Sequence, residues 1–207
     1  MGTSTRIFID FWNFALNWNE RAAGQRCDWR KVPIVLLDQA HDLLAKVGLT
    51  EPLDLEETLV HASVKSGTTE ARLRGWLQSF LDKQPSFRVK IRERRTLHKG
   101  IWCNTCKQET KDCPNCGTAF QRAPEKGVDA AIVTDLLTLA WEEAFDVAIV
   151  LSSDADLIPA VERVQEKGLK VINATWAGHG FDLAHACWGS FQLDNVIGLL
   201  TRPGANP

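Results

Sequence analysis

Residues 147–157 read VAIVLSSDADL, and their reading decides the fold. Val147, Ala148, Ile149, Val150 and Leu151 form an unbroken apolar run, the pattern of a central parallel strand covered on both faces. Ser152, Ser153 and Asp154 follow, and apolar residues then return at Leu157, Ile158, Val161 and Val164 with helical spacing. The pattern predicts a helix capped by Ser153 or Asp154. Asp154 and Asp156 thus stand at the carboxyl end of a strand and the start of a helix, where open α/β sheets bind ligands. A purely structural account also covers them: Asp154 caps the helix and Asp156 complements its dipole.

Working outward, the alternation continues on both sides. Toward the C-terminus, residues 169–174 (LKVINA) read as a strand, 182–188 as a short helix, and 191–200 as either a strand or a turn of helix. Toward the N-terminus, residues 128–143 carry Ile132, Leu136, Leu137, Leu139 and Ala140 at helical spacing. Residues 87–95 and 58–64 read as strands, with a helix over 70–83 between them. Residues 29–47 form a helix closed by Gly48. Residues 6–11 (RIFIDF) are the first strand, and residues 17–28 read as polar and irregular. Strands alternating with helices predict an α/β fold with a doubly wound, mainly parallel sheet. One domain is expected over residues 1–207, interrupted by a small insert at 99–122. The apolar runs are too short to span a membrane. The N-terminus enters a strand almost at once, without the apolar segment of a signal peptide, so a cytoplasmic protein is expected.

Several acidic residues fall where such a sheet presents its ligand edge. Asp10 ends the first strand, Asp154 and Asp156 follow the fourth, and Asp129 opens the helix before it, in Lys126-Gly127-Val128-Asp129. Strands one and four are expected to be neighbours where the strand order reverses. Converging carboxylates repel unless a cation lies between them, and hard oxygen donors suit Mg²⁺ or Mn²⁺. Such ions serve attack on a phosphodiester. Asn13 could ligate or hold a water without adding charge, and Lys126 could meet a phosphate. Asp135 is on the helix of Asp129, about 120° around it, and reads at least as well as a solvated helical residue.

IFIDFWNF, KGVDAAIVTDLL and VLSSDADLIPAVERVQEKGLKV, in that order, resemble the NYN domain, a branch of the PIN-like nucleases. Its pattern is a strand ending in Asp-x-x-Asn, then Lys-Gly-Val-Asp on a helix, then Ser-x-Asp-x-Asp-Phe and a glycine-containing turn. The resemblance implies a PIN-like fold and a metal-dependent ribonuclease using Mg²⁺ or Mn²⁺. Carried over by position, it makes Asp10, Asp129, Asp154 and Asp156 metal-site residues, supported by Asn13 and Ser152. This chain departs from the pattern at Ser153, Ala155 and Leu157, where Gly, Ser and Phe are common. The departures leave every carboxylate in place and bear on substrate fit. The expected activity is endonucleolytic hydrolysis of single-stranded RNA. A non-catalytic RNA- or protein-binding module is the alternative from another class. Toprim-like chemistry would want Glu where Asp10 stands, and a dehalogenase-type phosphatase would want Asp-x-Asp where Asp10-Phe11-Trp12 stands. A homodimer or a protein partner stays open.

The insert carries Cys103-x-x-Cys106 and Cys113-x-x-Cys116, two knuckles six residues apart. Four thiolates at this spacing predict a structural Zn²⁺ in a zinc ribbon. Trp102, Lys99, Lys107 and Lys111 surround it, so the insert either staples a loop too short for its own core or also grips nucleic acid. Cys27 and Cys187 lack a partner motif and read as packed thiols. Net charge is −2 over the 207 residues, but residues 83–126 hold eleven Lys/Arg against four Asp/Glu. One part of the molecule is therefore basic and the rest acidic. Within it Arg88, Lys90, Arg92 and Arg94 alternate along one strand, placing four cations on one face. They read as a phosphate track or as the charged guard of an edge strand. His179, in Gly178-His179-Gly180 after the fifth strand, could face the site.

Overall fold

A computed structural model describes residues 2–68, 70–94, 97–98, 100–122 and 127–202. Six strands, β1 (Thr3–Asp10), β2 (Leu53–Lys65), β3 (Phe87–Arg94), β8 (Val147–Leu151), β9 (Lys170–Thr175) and β10 (Gly189–Gln192), form one sheet in the order β10-β9-β8-β1-β2-β3. All five pairings are parallel. The order runs outward one way from β1 and the other way from β8, so the sheet is doubly wound and reverses between those two strands. As the apolar run predicts, every residue of β8 is buried.

Side chains alternate across the sheet and feed two cores. Ile7 and Ile9 of β1 join one, with Phe11, Phe14 and Trp18 of α1 (Phe11–Arg21) and with α2 (Val32–Ala45) and α3 (Ala71–Ser79). This core is aromatic: Phe14 packs edge-on to Trp29 at 5.0 Å, and Phe11 stacks on Trp29 at 5.6 Å. Phe8 joins the other, with Leu59 of β2 and the buried residues of α4 (Val128–Trp141), α5 (Ile158–Glu166) and α6 (Phe181–Ala186).

Three local readings are corrected. Phe11 opens α1 rather than ending the strand, and α1 takes the chain to Arg21, inside the segment expected to be irregular. The helix expected from residue 29 starts at Val32, with proline in its first turn. The undecided segment at 191–200 holds both forms: β10 ends at Gln192, followed by a 3-10 turn Leu193–Val196 and the short α7 (Ile197–Leu200).

The insert has little regular structure: β4 (Leu97–His98) pairs with β7 (Gln121–Arg122), and β5 (Ile101–Trp102) with β6 (Glu109–Thr110), all antiparallel. Of residues 101–120 only Cys113 and Phe120 escape full exposure. Lys99 and Lys126, expected near substrate, lie outside the described residues.

Candidate functional site

The strand reversal leaves the ends of β1 and β8 side by side at the carboxyl edge. Asp10, buried at the end of β1, caps α1: its Oδ1 accepts the Asn13 N–H at 3.1 Å. Across the reversal, Asp154 Oδ1 accepts the Asp156 N–H at 2.9 Å and caps the 3-10 turn Ala155–Leu157 that leads into α5. Ser152, also buried, accepts the Asp154 N–H at its Oγ, 3.2 Å. The Ser153 hydroxyl donates to Asn13 Oδ1 at 3.3 Å, which ties the two strand ends together. Asp10, Asn13, Ser152, Ser153 and Asp154 are thus held along one edge by one another and by the backbone.

Asp129 is half-buried in the first turn of α4, a helix packed against β1, β2 and the 3-10 turn of Asp156. Asp156 is exposed. Among the described residues no three His, Cys, Asp or Glu side chains form a group that could hold a metal ion, so the four carboxylates do not stand as a closed cluster. Their chemistry nonetheless suits a hard cation. Asp10 and Asp154 offer carboxylate oxygen and Asn13 an amide oxygen. Asp154 Oδ2 accepts no hydrogen bond from the described residues, which leaves it an open donor position.

Two residues outside the motifs help set this edge. Asn173, fully buried in β9, donates from Nδ2 to the carbonyls of Val150 and Ser152, both at 2.9 Å. It thereby holds the end of β8 as it turns away from the sheet. The signal was a lone amide in the apolar strand LKVINA. Gly180 has φ +63°, and a Cβ there would lie 2.7 Å from Ser153 Cα, so the loop after β9 lies directly on the loop of Asp154. Backbone approach this close admits only glycine.

Asp135 is half-buried, and its partners stand level with Asp10: His61 pairs with Asp10 in the β1–β2 register, and Lys90 with His61. Asp135 faces the sheet, 2.7 Å from Lys90 Nζ and 3.3 Å from Nε2 of the buried His61. The His61 contact is electrostatic: neither ring nitrogen makes an aligned hydrogen bond among the described residues. Burial lowers the His61 pKa to about 4; Asp135 pulls it up, while Lys90 and Arg92 push it further down. The ring is neutral at neutral pH.

The basic strand β3 is the sheet edge, and pairing with β2 puts Arg88, Lys90 and Arg92 opposite Leu59, His61 and Ser63. Most of its charge is already engaged. Arg88 meets Glu57 at 2.7 Å, Lys90 meets Asp135, and Arg94 meets Glu70 at 3.0 Å while lying over the Trp12 ring. Burial raises the pKa of Glu70, but the Lys65 N–H and Arg94 outweigh it and hold the carboxyl below its usual range. Arg92 is exposed and makes no ion pair among the described residues.

In the insert the two cysteine knuckles share one geometry. Cys103 O accepts the Lys107 N–H at 2.9 Å, and Cys113 O accepts the Gly117 N–H at 2.8 Å. Cys103 N–H donates to Gln108 O and Cys113 N–H to Thr118 O, both at 2.9 Å. Lys107 and Gly117 both take positive φ, +56° and +68°. The Cys103 thiol pKa is lowered by the N–H groups of Cys106 and Thr105, and that of Cys116 by the Thr118 hydroxyl and N–H. One thiol of each knuckle is thus shifted toward the thiolate, the form that binds zinc, although the four sulfurs do not form a single metal group among the described residues. Trp102 beside them is 56% exposed. Cys27 and Cys187 are unpaired thiols with pKa values raised by burial, to about 12 for Cys187, and are inert by that measure.

A doubly wound parallel sheet with an acidic carboxyl edge at its strand reversal defines a PIN-like α/β domain. Residues 68–192 match the NYN domain, and the chain belongs to that family. The matched segment contains Asp129, Asp154 and Asp156; Asp10 and Asn13 lie before it. The family has a nuclease-like fold, its members are typically RNA hydrolases, and they usually use Mg²⁺ or Mn²⁺. Among solved structures, a protein of unknown function from Vibrio parahaemolyticus shares the fold: TM-score 0.57, 16% identity, with 94% of each chain covered. No curated protein matches significantly. Among the described residues no helix is long and apolar enough to cross a membrane.

Proposed function

We propose that this chain is an endoribonuclease that hydrolyses single-stranded RNA at the carboxyl edge between β1 and β8. The observation that carries the reading is the Ser153–Asn13 hydrogen bond of 3.3 Å, which joins the loop after β8 to the first turn of α1, beside Asp154 and Asp10 at the strand reversal. Asp10, Asp129, Asp154 and Asp156 would hold Mg²⁺ or Mn²⁺, with Asn13 beside them. When bound, such an ion supplies Lewis acidity for the phosphate and lowers the pKa of water. The chain's own share is positional. The caps at Asp10 and Asp154 fix one oxygen of each carboxylate, Ser152 fixes the loop backbone, and Asn173 fixes the strand end beneath it. Arg92 on the edge strand and Lys126 would meet phosphates.

Zn²⁺ on Cys103, Cys106, Cys113 and Cys116 would supply the structural centre of the insert, whose exposed residues give it almost no apolar core. Trp102 and Lys99 would then present an aromatic and a charge to the strand.

The test is cleavage of an end-labelled RNA in Mn²⁺ by the native chain and by Asp154→Asn. Asn keeps the cap to the Asp156 N–H, so stability should hold while cleavage falls at least about 100-fold, more than loss of a supporting outer ligand costs. Equal cleavage by both proteins would leave Asp154 with a capping role alone and defeat the proposal.

A further inference from the structure

We propose that the open face of Phe181, backed by His185, is a nucleoside subsite for single-stranded RNA beside the Ser153–Asp154 loop. The inference rests on the ribonuclease reading and deepens it by naming what would grip a base next to the cleavage edge. Phe181 is 80% exposed, the highest value among the large apolar side chains of the described residues. The ring lies parallel to His185, one turn on in α6, with 4° between the planes and 6.2 Å between centroids. A flat aromatic ring open to solvent offers a face on which a base can stack, and such stacking tolerates any base.

The surroundings favour a nucleotide over an apolar protein segment. Phe181 and His185 line a cleft of about 860 Å³, within the range of sites for small ligands. Gln39, Gln192 and Asn195 bring amides suited to base edges, and the lining carries one Lys, Lys46, and one carboxylate, Asp42. Its position completes the case. Gly180 lies so close to Ser153 that no Cβ fits between them, and Phe181 is the next residue. The Phe181 backbone therefore stands beside the Ser153–Asp154 loop.

The test measures binding of a fluorescent decaadenylate, and of the same strand without bases, in buffer without added Mg²⁺ or Mn²⁺. The full chain is compared with Phe181→Ala, Phe181→Leu and Phe181→Trp. Phe181→Ala and Phe181→Leu are expected to bind decaadenylate about tenfold more weakly, within the range for losing one base–aromatic stack. Phe181→Trp should stay within about threefold of native, and binding of the baseless strand should not change. The subsite is overturned if Phe181→Ala binds decaadenylate like the native chain, if it loses the baseless strand equally, or if the native chain binds neither strand. A parallel cleavage assay in Mn²⁺ separates the two readings. Asp154-dependent cleavage with Phe181-independent binding removes only the subsite. Phe181-dependent binding without cleavage removes only the nuclease.

Discussion

The carboxyl edge and the cysteine insert position their chemistry by opposite means. At the edge, Asp10 ends β1 and Asp154 follows the buried β8 by three residues, and each carboxylate is oriented by a cap at a helix or turn start. The buried sheet does the work of placing these carboxylates. Among the described residues of the insert little is buried to lean on: Ile101 and Trp102 are exposed, and two backbone turns of equal shape hold the cysteine pairs. A site on a packed sheet keeps its geometry before any ligand arrives, whereas a site on an exposed loop needs its ligand to bring the halves together.

Removing zinc should give the largest contrast. On the zinc reading proposed above, a chelator, or Cys103→Ser, should abolish hydrogen-exchange protection in residues 100–122, since a bound metal supplies most of the folding energy of so small a unit. Protection in β1, β2 and β8 should be unchanged. Loss of both together would mean that the two regions are one cooperative unit.

The second contrast is in pH. His61 is neutral in the fold with a pKa lowered to about 4, while in the unfolded chain it titrates near 6.5. The unfolded chain therefore binds the extra proton between those values. Stability present above pH 6.5 should fall as pH drops toward 4, by about 3 kcal/mol at most. Urea unfolding across that window should show the slope, and His61→Gln should flatten it. An unchanged slope in the variant would place the sensitive group elsewhere.

The smallest effect is expected at the basic edge. Arg92→Ala should weaken RNA binding by about threefold and lower the slope of log affinity against log salt by about 0.7, one phosphate contact on a single strand. Arg88→Ala should do less, because that guanidinium is engaged by Glu57 at 2.7 Å. Equal effects would mean that RNA displaces the ion pair and that the whole strand serves as a track.

What was legible in the sequence followed from local pattern. The run VAIVL announces a central strand because burial on both faces leaves no polar position, and the ordered motifs IFIDFWNF, KGVDAAIVTDLL and VLSSDADLIPAVERVQEKGLKV carry the family resemblance, the last two inside the matched residues 68–192. α1 was missed although Phe11, Phe14 and Trp18 have helical spacing. It starts directly after the last residue of β1 with no loop between, and its asparagines are weak helix formers. The engagement of Arg88, Lys90 and Arg94 was not legible either, since their partners Glu57, Asp135 and Glu70 are distant in sequence and meet them only through sheet order and the packing of α4. Phe181 was passed over for a related reason: its spacing fits an ordinary helix start, and only the fold leaves its ring exposed beside Ser153.

The measurement closest to the central claim is a crystal of the chain grown with Mn²⁺ and examined by anomalous diffraction. The account predicts an ion at the carboxyl edge touching oxygens of Asp10 and Asp154, with Asp129 or Asp156 drawn toward it. Mn²⁺ bound elsewhere, with the edge carboxylates more than about 10 Å apart and so beyond the span of paired ions about 4 Å apart, would contradict it.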